Sequence, residues 1–181
     1  MTVLDRLWRD VEAQTSIEGY VVEIIDGKVI MTPQSPAQSN TIRSVIRQAE
    51  RALGEDVPLV FDVGIDFPGE TSLAPDVAIL DLDAQPRGKR YVFMDVVAAI
   101  EVVSTPADDN DYVTKVGKYS RFGIDTYLII DPFTRTCTLY DGAGAAGYAR
   151  KAEFAHGEVI DLSLSDGRKF SIDTSGFPVE G

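Results

Sequence analysis

The chain has 181 residues, 44% hydrophobic and 25% charged, which suits one folded domain with a real core and excludes wholesale disorder. A single cysteine, Cys137, and a single histidine, His156, exclude an internal disulfide, a multi-cysteine zinc cage and a histidine-rich metal site. The net charge of -12 argues against a protein that grips nucleic-acid backbone avidly and without specificity, unless the acids cluster around a cation that reverses the local sign.

No apolar run is long enough to span a bilayer, and charges interrupt the apolar N-terminal stretch, so neither a membrane span nor a secretory leader is expected. The default compartment for such a chain is the cytoplasm. Residues 2–13 read as a helix capped by Thr2, with Val3, Leu4, Leu7, Trp8 and Val11 as its apolar stripe. Strands at 20–25 and 28–32 flank Asp26-Gly27, a hairpin signal. Ser35-Pro36 supplies a cap and a first-turn proline for a helix that runs to about residue 53, with Ile42, Val45, Ile46, Ala49 and Leu53 at helical spacing.

The period then changes. Val57, Leu59, Phe61, Val63, Ile65 and Phe67 alternate, which predicts one strand over 57–67. Short strands follow at 76–80 and 96–103, the second apolar enough to be buried on both faces. A helix over 109–122 ends at Gly123, and a strand at 126–130 ends at Asp131-Pro132. Four more strands, at 134–140, 148–154, 158–162 and 169–172, read as a β meander. The order through the middle predicts three antiparallel strands, then a helix crossing to a parallel neighbour. The fold class is therefore α/β (α+β): a mixed sheet flanked by helices, with an N-terminal helix and hairpin and a C-terminal meander.

Three residues stand out. Asp76 opens a strand after Pro75; Glu101 interrupts the apolar run 97–103; Lys115 lies on the next helix, with Asp111 and Tyr119 one turn away on the same face. An ionised carboxylate in an interior strand costs several kcal/mol (roughly) unless a cation, a metal or hydrogen-bond donors compensate it. Asp76 and Glu101 on adjacent strands would make a hard oxygen site suited to Mg²⁺, completed by the Val102 carbonyl. Such a site can activate water and neutralise a phosphate, with Lys115 clamping charge and Tyr119 positioning the lysine or a phosphate. Each residue also has a structural reading: Asp76 as turn chemistry, Glu101 paired with a buried Lys or Arg, Lys115 as a solvated partner of Asp111.

In this order the residues resemble the PD-(D/E)XK nuclease superfamily, specifically the Uma-two family of restriction-endonuclease-like proteins. The resemblance runs over about residues 18–132, through Tyr20, Glu23, Asp26-Gly27, Ser35-Pro36, Pro75-Asp76-Val77-Ala78, Glu101-Val102-Val103-Ser104, Asp111, Lys115, Tyr119, Gly123, Tyr127 and Asp131-Pro132. It implies a single domain over 1–181, with a nuclease core at about 18–132 and a β-rich extension at 133–181. It also implies Mg²⁺ (or Mn²⁺) held by Asp76 and Glu101, Lys115 as the active-site lysine, and DNA as substrate. Double-strand cutting asks for two sites and hence a homodimer.

Glu23 matches a further acidic position near the metal; its alternative is a polar residue on a half-exposed strand. Val103 stands where the superfamily's usual lysine lies, and Gln38 stands where the family often has a histidine. Asp62 and Asp66 read as solvated, and His156 receives no role. The run 85–90 and the arginines Arg43, Arg47 and Arg51 on one helix face are candidate backbone contacts. Two competing readings are a noncatalytic binding or regulatory module on the same scaffold and a two-carboxylate sugar hydrolase, which would leave Lys115 idle.

Overall fold

A computed structural model describes residues 2–13, 19–107 and 109–180. Helix α1 (Val3–Ala13) is capped by Thr2, whose hydroxyl accepts from Asp5 N at 3.1 Å. Strands β1 (Tyr20–Ile25) and β2 (Lys28–Pro33) pair in antiparallel register. Asp26 and Gly27 both take positive φ, 49° and 77°, as a two-residue turn with the twist of its strands requires. Helix α2 (Pro36–Leu53) begins with a capping box: Gln38 N donates to Ser35 Oγ and Ser35 N to Gln38 Oε1.

The predicted strand over 57–67 is two strands in different sheets. β3 (Leu59–Val60) and β4 (Ile65–Phe67) are separated by Asp62, whose φ of 53° is left-handed. Gly64 follows, where an added Cβ would meet Ser72 Oγ and the Trp8 ring at 3.1 Å. The turn leaves Phe61 exposed, although the alternation put it on the core face. β5 (Thr71–Leu73) and β7 (Tyr91–Val92) were not expected, being only three and two residues long. β6 (Val77–Leu80) and β8 (Val96–Val102) lie close to expectation, except that Asp76 sits in the bend before β6.

The helix expected over 109–122 starts with a wider π-helical turn, Asn110–Lys115, and continues as α3 (Val116–Arg121). Gly123 then takes a φ of 80°, and Ile124 N donates to Tyr119 O. β9 (Thr126–Asp131), β10 (Thr136–Asp141), β11 (Arg150–Ala155), β12 (Val159–Ser163) and β13 (Lys169–Asp173) complete the chain.

The central sheet has the order β11-β10-β9-β8-β6-β3, the second sheet β2-β1-β5-β4-β7. β3, β6 and β8 pair antiparallel, and β8 runs parallel to β9, as the element order predicted. The expected C-terminal meander is divided: β10 and β11 extend the central sheet, while β12 and β13 form a separate hairpin beside α2.

Period-two burial splits the central strands between two apolar layers. Val77, Ile79, Ala98, Ile100, Leu128 and Ile130 join Val45 of α2 and Ile160, Leu162, Phe170 and Ile172 of the hairpin. Ala78, Leu80, Ala99, Tyr127 and Ile129 face the other way, against Tyr119, Ile124, Phe67 and Leu73. Glu101 shares the parity of Ala99 and so falls on this second side. Among the described residues, no helix is long and apolar enough to cross a membrane.

Candidate active site

Antiparallel pairing sets Val77 opposite Ile100, which brings the residues just beyond, Asp76 and Glu101, to one end of the sheet. Asp76 N donates to Glu101 Oε2 at 3.4 Å, and Val102 N donates to Asp76 Oδ2 at 2.6 Å. Each acid is thus tied to the backbone that carries the other.

Lys115 arrives from the π-helical turn. Its Nζ lies 2.9 Å from Glu101 Oε1, 3.1 Å from Asp111 Oδ1 and 3.3 Å from Glu23 Oε1. An ammonium has three hydrogens, and three carboxylates take them. Glu23, from β1, also accepts from Ala74 N at 3.0 Å and, through Oε2, from Asn110 Nδ2 at 3.2 Å. Of its two readings, the structure supports the one that brings it into the cluster. Tyr119, fully buried, donates its hydroxyl to Glu101 Oε1 at 3.0 Å. It therefore positions Glu101, where the sequence had it positioning the lysine or a phosphate. Tyr127 donates to the Asp111 carbonyl at 3.0 Å and anchors the π-helical turn.

Asp76 and Glu101 are each 3% exposed, Lys115 is 4% and Asp111 5%. Four carboxylates around one ammonium leave an excess of three negative charges when all are ionised. Burial pushes the Asp76 carboxyl up to about 7, against the pull of Lys115 and the Val102 N–H. Burial also raises Glu101 well above the usual carboxylate range; Lys115 opposes this, while Asp111, Asp76 and Glu23 add to it. For Lys115, burial works to lower the pKa, but Asp111, Glu101 and Glu23 prevail and hold it well above the ordinary lysine value. The lysine stays charged and the site remains short of positive charge.

The donor set matches a hard divalent cation. It comprises the Asp76 and Glu101 carboxylates and the Val102 carbonyl, all oxygen. Among the described residues no group of three or more His, Cys, Asp or Glu side chains is arranged to hold a metal ion. Two of the donor groups converge on one point: Gln38 Nε2 lies 3.2 and 3.3 Å from the two Asp76 carboxylate oxygens and 3.2 Å from Val102 O. The cleft is also lined by Thr32, Ser104 and Asn110.

The structure therefore brings Asp76, Glu101, Val102, Lys115, Glu23, Tyr119 and Asp111 together. Gln38, noted in the sequence only as standing where the family often has a histidine, joins them, as does Asn110, which was not singled out. The signal for Gln38 was its place three residues after Ser35, which equally marks a capping box. The remaining polar candidates lie elsewhere. Asp62 is exposed, as expected, and accepts from Gln34, whereas Asp66 is half-buried and held by Ser72 and Arg90 where solvation was expected. The basic run loses Arg90, which pairs with Asp5 at 2.7 Å and Asp66 at 3.0 Å and packs over the Trp8 ring. Arg43, Arg47 and Arg51 remain exposed on α2. His156 packs edge-on against Phe177 and has no part in the site.

The mixed α+β fold is shared with a solved structure described as "a putative nuclease belonging to DUF820" from Anabaena variabilis ATCC 29413, which superposes with a TM-score of 0.67 at 15% identity, covering 90% of this chain and 89% of that one. The chain belongs to the Uma2 family, described as "Putative restriction endonuclease", whose family model matches residues 8–174. Among curated proteins none matches.

Proposed function

We propose that the protein is a divalent-cation-dependent endonuclease that hydrolyses DNA phosphodiesters. The observation that carries this reading is that Asp76 and the Val102 carbonyl converge on one point, with Glu101 against the Asp76 backbone and a lysine that stays charged beside it. Asp76, Glu101 and Val102 O would hold Mg²⁺, or Mn²⁺ in its place. The ion would lower the pKa of an attacking water and neutralise phosphate charge. Lys115 orients Glu101 and supplies positive charge on the substrate side; Glu23 and Asp111 hold Lys115 in turn. Tyr119 fixes the Glu101 rotamer through its hydroxyl. DNA as substrate rests on the family description, and double-strand cutting would call for a homodimer presenting two such sites.

A second reading, a noncatalytic binding or regulatory module, is favoured by the net charge of -12. Supercoiled plasmid and single-stranded DNA incubated with the protein and Mg²⁺ or Mn²⁺ separate the two. Metal-dependent cutting is expected, lost by at least about a hundredfold in Asp76→Ala, Glu101→Gln and Lys115→Ala. A parent protein that binds DNA but never cuts, or variants that cut as well as the parent, would reject the enzyme reading.

A further inference from the structure

Gln38 is the third residue of α2 and is 4% exposed. The capping box fixes how it lies: Oε1 accepts from Ser35 N at 3.4 Å, at the helix end, and Nε2 reaches inward. Ser35 is itself held, donating through Oγ to Glu180 Oε1 at 2.7 Å. Three oxygens surround Nε2, so the amide must present its N–H groups there; the opposite orientation would set oxygen against oxygen. Two hydrogens then serve three acceptor atoms, which requires those acceptors to face one common point.

That point is where a cation bound by Asp76 and the Val102 carbonyl would lie. Mg²⁺ sits about 2.0–2.1 Å from its oxygen ligands and repels an N–H dipole aimed at it. The amide group and the ion cannot share the space. We propose that Gln38 competes with the cation: its amide must release Asp76 and Val102 before the ion binds, and Gln38 thereby sets the divalent-cation concentration at which the site loads. This rests on the metal-dependent reading above. A hydrogen bond to a charged group is strong enough for its removal to tighten cation binding by about tenfold.

The test is Mg²⁺ binding to the full chain by calorimetry, with thermal melts in EDTA and at saturating Mg²⁺, for the parent, Gln38→Leu, Gln38→Ala and Asp76→Asn. The Gln38 variants should bind Mg²⁺ about tenfold tighter. They should melt lower than the parent in EDTA and by a clearly smaller margin in saturating Mg²⁺, whereas a purely structural role such as the helix cap would lower both melts equally. Should the variants fail to fold, the parent suffices: its Gln38 side-chain NH₂ resonances must shift in step with Mg²⁺ binding, and unmoved resonances at saturation overturn the proposal. Unchanged affinity in the variants also overturns it, and weaker affinity does so by making Gln38 a ligand. If parent and Asp76→Asn alike bind no Mg²⁺, the metal-dependent reading falls and takes this inference with it; binding in the parent that Asp76→Asn abolishes and Gln38→Leu leaves unchanged sinks the inference alone.

Discussion

Ile100 and Glu101 are adjacent on β8 and almost equally buried, yet they belong to different kinds of interior. Ile100 points into an apolar layer filled from α2 and the β12–β13 hairpin, where every neighbour adds to stability by excluding water. Glu101 points to the other side, where three further carboxylates, one lysine and one tyrosine surround it. Its burial is stabilising only to the extent that Lys115 and the hydrogen-bond donors offset desolvation. Both layers hold the fold together, but the second also stores a charge imbalance at one end. A site that needs a cation to be complete is expected to show this signature.

Removing the lysine attacks the comparison most directly. Lys115→Met leaves Glu23, Glu101 and Asp111 buried with no counter-charge, and should cost about 3–5 kcal/mol of unfolding free energy in urea with EDTA present. A loss below about 1 kcal/mol would mean that solvent already neutralises the cluster, and that the two sides of β8 are less different than their partners suggest. On the dry side, Leu128→Ala should cost about 2–5 kcal/mol by opening a cavity. Its Mg²⁺ affinity should match the parent's in calorimetry, because Leu128 faces away from Glu101 and contacts the opposite layer. A changed affinity would show that the layers are coupled through the sheet.

How much of this was legible in the sequence follows from the same division. β6, β8 and β9 were readable because strands buried on both faces are apolar runs, and a Glu inside one of them announces itself. The pairing that unites Asp76 with Glu101 followed from element order alone, since short connections favour antiparallel neighbours and a helical crossover a parallel one. Residues 57–67 misled because their alternation is genuine on both sides of Asp62; the left-handed turn that moves the chain between sheets leaves the period intact. The π-helical start of the third helix has no compositional mark, although it is the element that delivers Lys115. Gln38 was legible only as a departure from the family's histidine; that its amide reaches Asp76 and Val102 O is a matter of tertiary geometry that its spacing as a helix cap does not reveal.

The smallest effect concerns pH and sharpens the comparison without altering the packing. Burial raises the Asp76 carboxyl to about 7 in the folded chain, whereas in the unfolded chain it titrates near the ordinary aspartate value of 3.8. Between those limits the native state holds a proton that the unfolded state has lost. Stability from this group is therefore complete below about pH 4, falls as pH rises and levels off above about 7. From pH 6 to pH 8 in EDTA the loss should be about 1 kcal/mol. Glu101, also raised by burial, changes stability in the same direction. His156, held below its usual value by burial, works in the opposite direction and gains stability as pH rises through its unfolded value. Subtracting the Asp76→Asn profile from the parent's removes His156 and leaves Asp76 together with the part of the Glu101 shift that the Asp76 charge causes, a difference that should decline from pH 6 to pH 8. A flat difference would place the Asp76 carboxylate in contact with water, and the cleft would then be open where the structure shows it closed by Gln38 and the Val102 backbone.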